Sequence, residues 1–297
     1  MKLIFKEMRS DIDRSVNFIA DHGSGFLEAR YVRRTDDYFI CYVSSHSGCK
    51  LACRFCHLTR TRQTSFDEAD KDSLIAQIRR VLDYHADNET ASPKMNVNFM
   101  ARGEPLLNKA VTEELADIHE VVMPWAENRG ITEIVYNPSS IFPVGTEELN
   151  LADAFGGLPV TPFWSLYSLD DRFRKRWLPK SIEPELALAK LLDFQSATGR
   201  EVVLHWALIS GENDKDEDFE KIAQFIDKSG LEARLNMVRY NPADEGTGKE
   251  ADEDRYQAAL SIIGEVMRRP GSRVVPRVGF DVKASCGMFV NKDGMGV

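Results

Sequence analysis

The chain has 297 residues, 43% of them hydrophobic and 29% charged, the composition of a folded globular protein rather than a disordered or fibrous one. With 38 basic against 47 acidic residues the net charge is −9. That balance excludes a protein that coats nucleic acid non-specifically through Lys and Arg, though not a local basic surface. No run of about 18 apolar residues and no basic segment leading into an apolar core is present, so no membrane association is expected and a cytoplasmic location follows.

The first forty residues differ from the rest. A helix-like start over Phe5–Ala20, a turn at Gly23-Ser24-Gly25 and a strand candidate over Phe26–Arg33 predict a small N-terminal extension, residues 1–37. From residue 38 to 297, strand candidates alternate with amphipathic helical patterns. The strands are expected at Phe39–Val43, Asn96–Phe99, Glu133–Tyr136, Pro162–Tyr167, Val202–Ile209, Arg234–Arg239 and Arg273–Pro276. Helices are marked by Leu74–Leu82, by Leu186–Leu192, by Phe219–Ile226 stopped at Ser229-Gly230, and by Tyr256–Met267 stopped before Pro270. Such β–α alternation predicts an α/β fold with a parallel sheet, a partial (β/α) barrel or a doubly wound sheet. Asn241–Asp254, rich in acidic residues, is expected to be a loop at the carboxyl ends of the strands, where barrel sites are built.

Five cysteines, an odd number with three inside eight residues, make a poor disulfide framework and point to metal or redox chemistry. Cys49, Cys53 and Cys56 follow a strand candidate at C-x3-C-x2-C spacing. Three thiolates on one loop leave the fourth iron of a [4Fe–4S] cube open, which is what a radical S-adenosylmethionine (SAM) enzyme needs to chelate SAM and pass it an electron. A zinc knuckle completed by His57 or Cys41 is the alternative that the spacing allows. After the next strand comes Gly103-Glu104-Pro105, weak alone but placed where radical SAM proteins hold the SAM amino group.

These residues resemble one family closely, the RlmN/Cfr group of radical SAM RNA adenine methyltransferases, of which the chain looks like a divergent, shortened member. Cys41-Tyr-Val-Ser-Ser-His-Ser-Gly-Cys49-Lys-Leu-Ala-Cys53-Arg-Phe-Cys56 is similar to the family's Cys-Val-Ser-Ser-Gln-x-Gly-Cys-x3-Cys-x-Phe-Cys, with one extra residue after Cys41. Gly103-Glu104-Pro105-Leu106-Leu107-Asn108 is identical to the family segment. Ser165-Leu-Tyr-Ser, Tyr240-Asn241-Pro242 and Asp281-Val-Lys-Ala-Ser-Cys286-Gly match further motifs in order.

The resemblance implies a partial barrel, a [4Fe–4S] cluster on Cys49, Cys53 and Cys56, and SAM held by Gly103, Glu104, Ser139, Ser165 and Asn241. It implies that Cys286 is methylated by one SAM and that a second SAM generates a radical on that methyl group. The radical then adds to an adenine ring carbon, carbon 2 ahead of carbon 8. Cys41 is the implied second thiol, removing the ring proton and closing the cycle through a disulfide. This route answers a chemical difficulty, since an aromatic amidine carbon is not nucleophilic and covalent catalysis divides the step. The implied partners are RNA, ribosomal or transfer, and an electron donor such as flavodoxin or ferredoxin.

The chain departs from the pattern in several places. Asn137-Pro138-Ser139-Ser140 stands for Ser-Thr-Ser-Gly, Tyr167 for a histidine and Val278 for an arginine, and the N-terminal region is short for an RNA-binding domain. A radical SAM enzyme acting on a small molecule or peptide is therefore the alternative, and a non-enzymatic metal-binding protein a more distant one. Arg54, Arg60 and Arg62, and Arg172, Arg174, Lys175, Arg176 and Lys180 with Phe173 and Trp177 interleaved, form basic stretches that could grip a nucleic acid backbone or simply be solvated. His205, in an apolar strand, reads as a core residue.

Overall fold

The computed structural model describes residues 3–291; the outermost residues of the two expected units, 1–2 and 292–297, lie outside the described residues. Ten strands form one sheet in chain order: β1 Lys6–Arg9, β2 Val16–His22, β3 Gly25–Val32, β4 Tyr38–Tyr42, β5 Lys94–Phe99, β6 Glu133–Ser140, β7 Phe163–Trp164, β8 Val202–Ala207, β9 Ala233–Val238 and β10 Arg273–Val275. From β4 to β10 every pairing is parallel. The helices are α1 His57–Arg60, α2 Lys71–Asn88, α3 Lys109–Glu113, α4 Leu115–Glu127, α5 Leu151–Phe155, α6 Asp171–Trp177, α7 Pro184–Thr198, α8 Asp216–Ser229 and α9 Glu253–Ile262. The sheet is an unclosed barrel, as the alternation predicts.

Strand alternation divides the barrel into two environments. Phe39, Cys41, Val43, Val97, Tyr136, Leu204 and Leu235 share one core with Leu74, Ile78 and Val81 of α2 and Ile222 and Ile226 of α8. The intervening positions face inward. Tyr38, Ile40 and Tyr42 of β4, Asn96 and Asn98 of β5, Asn137 of β6, Phe163 of β7, His205 of β8, and Asn236 and Val238 of β9 line a lumen of about 450 Å³. The lumen is walled by asparagine and charged side chains instead of being filled with branched apolar residues.

The N-terminal residues depart from the expected helix. β1 and β2 pair antiparallel, Lys6 opposite Ile19, and the chain reverses between them. Ser10 Oγ accepts from the Ile12 and Asp13 amides, each at 3.1 Å, and Asp13 Oδ1 accepts from Ser15 N at 2.8 Å. These side-chain bonds offer the backbone a turn in place of a helical ladder. β3 then pairs antiparallel with β4, so residues up to 37 extend the barrel sheet. Further on, α8 stops where expected, with Gly230 at φ 76°. α9 ends at Ile262, short of Met267, and continues only as a tight turn over Gly264–Val266.

Candidate active site

β4 runs out into Ser44–Gly48, and this loop is locked from both sides. Gln77 of α2 accepts from Ser44 N at 2.8 Å and donates to Ser44 O at 3.0 Å. Asn108 Nδ2 donates to Ser45 O at 2.7 Å. Gly48 passes so close to the Gln63 and Ser65 carbonyls that a Cβ would lie 2.5 and 2.6 Å from them, so only glycine fits before Cys49.

The cysteine loop meets the strand ends across a single cavity. Cys49, Cys53 and Cys56 line it together with Gly103, Glu104, Ser139, Ser165, Tyr167, His205 and Cys286. Burial raises all three loop thiols, Cys49 to about 12. Phe55 stacks on Tyr167, ring centres 4.4 Å apart. Ser139 and Ser165 hydroxyls lie 3.4 Å apart. Glu104 is 4% exposed and accepts from the Leu106 amide at 3.4 Å; burial outweighs the polar groups around it and pushes its carboxyl up to about 7. A buried carboxyl of this kind gains most when a cation, such as an α-ammonium group, is brought to it.

Cys286 reaches the cavity on a C-terminal loop held from three directions. Asn241 Nδ2 donates to Cys286 O at 2.9 Å and to Ser285 Oγ at 3.1 Å. The His57 amide donates to Gly287 O at 3.1 Å, while His57 Nε2 donates to Asn241 O at 3.0 Å. Beneath lies a buried ion network. Glu28 accepts from Arg102 Nε at 2.8 Å, from Arg30 at 2.7 Å and from the Val290 amide at 3.0 Å. Arg30 also donates to Met288 O at 2.7 Å, and Arg102 to Val290 O.

Of the residues expected at the site, the three loop cysteines, Gly103, Glu104, Ser139, Ser165 and Cys286 come together. Asn241 does not line the cavity; its side chain supports the Cys286 loop. Cys41 is also placed elsewhere. It is fully buried on the helix-facing side of β4, beside Tyr136, and its strand partners Tyr31 and Val97 belong to the same outer core. Strand alternation accounts for the placement: Tyr42 faces inward and Cys41 outward.

Several contributors were not legible as site residues. Arg34 and Tyr42 line the lumen with Cys286. His205 lies on the walls of both cavities, with Nδ1 unpartnered and its imidazole lowered to about 4 by burial; its inward place in the alternation of β8 was the available signal. The basic stretch around α6 is largely structural. Arg174 donates to the Leu166, Ser168 and Ile182 carbonyls, Arg176 pairs with Glu212 at 2.8 Å, and Lys180 donates to Lys50 O at 2.8 Å.

No family model matches the chain. A probable dual-specificity RNA methyltransferase RlmN from Parafrankia sp. (strain EAN1pec) is 30% identical over 277 residues, covering 89% of this chain and 68% of that protein. The chain belongs to the RlmN/Cfr family. A second probable dual-specificity RNA methyltransferase RlmN, from Clostridium beijerinckii, is 27% identical over 293 residues, covering 96% of this chain and 76% of that protein. Among solved structures, a radical SAM methyltransferase from Sphaerobacter thermophilus superposes with a TM-score of 0.79 at 20% identity over 97% of this chain and 81% of that one. Methylornithine synthase reaches 0.50 at 13% identity over 77% and 63%. Both show the fold.

As a member of this family the protein is a radical SAM enzyme, and its cofactors are a [4Fe–4S] cluster and SAM. The donor set fits them. No three His, Cys, Asp or Glu side chains among the described residues converge on one point that would hold a single metal ion. The three loop thiols line one cavity and are the donor type that iron–sulfur clusters take. Glu104 and the Ser139–Ser165 pair supply an acceptor and hydroxyls to the same cavity. Among the described residues no helix is long and apolar enough to cross a membrane.

Proposed function

We propose that this enzyme methylates an adenine ring carbon in RNA, carbon 2 in preference to carbon 8, with Cys286 as the methyl carrier. The observation that carries the reading is that Cys286 lines the same cavity as Cys49, Cys53, Cys56 and Glu104, as a thiol that takes a methyl group from SAM must. The names of the relatives supply the RNA class. In this reading Cys49, Cys53 and Cys56 hold the cluster, which when bound supplies the electron that cleaves SAM. Glu104 receives the SAM amino group, Gly103 lets the backbone approach, and Ser139 and Ser165 hydrogen-bond the remainder. Asn241 acts on SAM only through the loop that it pins. The Cys286 sulfur gives up its proton and forms the new sulfur–methyl bond as the sulfonium–methyl bond of SAM breaks and S-adenosylhomocysteine leaves. Reducing equivalents come from a small electron carrier of the flavodoxin or ferredoxin class, in the cytoplasm.

The test is anaerobic incubation of the reconstituted enzyme with SAM, reductant and ribosomal or transfer RNA, followed by nucleoside mass spectrometry. The expected product is 2-methyladenosine. 8-Methyladenosine alone would overturn the carbon-2 assignment. SAM cleavage with no methylated adenosine in either RNA would move the substrate to a small molecule or peptide.

A further inference from the structure

The family pattern calls for a second thiol opposite Cys286, and the geometry of β4 decides what stands there. Side chains of a strand alternate between its faces, so a single inserted residue moves each upstream side chain to the other face. Val43 through Cys49 follow the family spacing, and counting back from Cys49 puts Tyr42, not Cys41, at the inward thiol position. The structure agrees: Tyr38, Ile40 and Tyr42 line the lumen with Cys286, and Phe39, Cys41 and Val43 pack toward the helices.

Tyr42 is not there as filler. The Arg34 guanidinium stands on the same wall, and Arg34, Tyr42 and Cys286 together also line a smaller recess beside Val238 and Val275. Arg34 Nε is buried without a partner, so the guanidinium retains a donor for a group arriving at this wall. The remaining cysteines, Cys49, Cys53 and Cys56, sit on the loop already assigned to the cluster.

We propose that Tyr42, held by Arg34, is the residue against which the Cys286 sulfur works in this enzyme, and that Cys286 has no thiol partner within the chain. The inference rests on Cys286 being the methyl carrier. Methyl transfer to it remains balanced: the sulfur–methyl bond forms, the sulfonium bond to that methyl breaks, S-adenosylhomocysteine leaves and the thiol proton is lost to solvent. Release of the methylated base then takes a low-molecular-weight thiol from solution, whose thiolate attacks the Cys286 sulfur as the sulfur–carbon bond breaks, leaving a mixed disulfide on Cys286 while the carbon takes up a proton. A closing disulfide between Cys41 and Cys286 does not form, because β4 would have to slip by one residue and turn Tyr42, Ile40 and Tyr38 into the apolar helix layer. Arg34 is a positioning residue, acting through the Tyr42 hydroxyl.

The test is disulfide mapping by non-reducing peptide mass spectrometry on the cluster-loaded protein, after mild oxidation and separately after turnover with SAM. Wild type is expected to show no Cys41–Cys286 bridge, and Cys41→Ala to methylate Cys286 at the wild-type rate. Y42C is expected to form a bridge between position 42 and Cys286. Tyr42→Phe and Arg34→Ala should slow Cys286 methylation about tenfold, the loss of one hydrogen bond to a charged group, with Arg34→Lys recovering part of it. A Cys41–Cys286 bridge in wild type, or loss of methylation in folded Cys41→Ala, overturns the proposal. If Y42C does not fold, alkylation of the native wild type decides instead: Cys286 labelled with Cys41 protected supports the proposal, and equal labelling overturns it. Absence of methyl on Cys286 in every variant, with the cross-links as expected, would refute the methyl-carrier reading and leave the facing of Tyr42 and Cys286 intact.

Discussion

Glu28 and Arg102 meet at 2.8 Å with neither side chain exposed to solvent. This contact joins the N-terminal strands to the residue just before Gly103-Glu104-Pro105. Burial pushes the Glu28 carboxyl up, but Arg30 and Arg102 outweigh it and hold the group below its ordinary range. Removing one member of such a pair leaves an uncompensated buried charge. Glu28→Ala is expected to cost about 3–5 kcal/mol, read as a fall in the denaturation midpoint. It should also speed alkylation of Cys286, because the same carboxylate holds the Val290 amide. Unchanged stability would show that the network is incidental.

Asn241→Ala removes two of the bonds that pin the Cys286 loop. The expected cost is about 1–3 kcal/mol, with faster amide hydrogen exchange confined to residues 284–288 and cluster content unchanged. If exchange there stays at the wild-type rate while SAM affinity falls, Asn241 touches SAM directly and its supporting role is refuted.

Gly103 has φ +96°, and a Cβ would lie 2.5 Å from Ser45 Oγ and 2.6 Å from His46 Nδ1. An alanine there is strained both in its backbone and against its neighbours. Gly103→Ala should weaken SAM binding at least tenfold, about 1.4 kcal/mol, while the iron content stays that of wild type. Equilibrium dialysis with labelled SAM makes the comparison.

His85 of α2 stacks on Phe39, ring centres 4.0 Å apart, and burial lowers it from 6.5 to about 4. Its folded-state value lies below the unfolded one, so the unfolded chain binds the proton first as pH falls. The stability held above pH 6.5 is therefore lost between 6.5 and about 4. Urea denaturation across this window should show a falling midpoint, and His85→Leu, which cannot titrate, should flatten that part of the slope.

Much of this was legible because inner and outer faces of a parallel strand leave a period-two pattern. Seven of the expected strands coincide with β3, β4, β5, β6, β8, β9 and β10 to within a few residues, and the loop cysteines and Glu104 were singled out by their spacing together with the family resemblance. The misread start, Phe5–Ala20, carries apolar residues that suit a helix. The Ser10–Ser15 turn overrides that preference through its own side chains. Arg34, Tyr42 and His205 were missed because each looks ordinary in its local run, and only the folded sheet brings them to one lumen. Cys41 was expected at the site for the opposite reason. A cysteine near the right place outweighed a one-residue offset, yet on a strand one residue is a change of face.

The most direct test of the account is mass spectrometry of the anaerobically reconstituted protein after incubation with SAM and reductant, read at Cys286. The account predicts one added methyl group on Cys286 and none on Cys41, and no modification when Cys49, Cys53 and Cys56 are all replaced by alanine. An enzyme that cleaves SAM while Cys286 stays unmodified would contradict it.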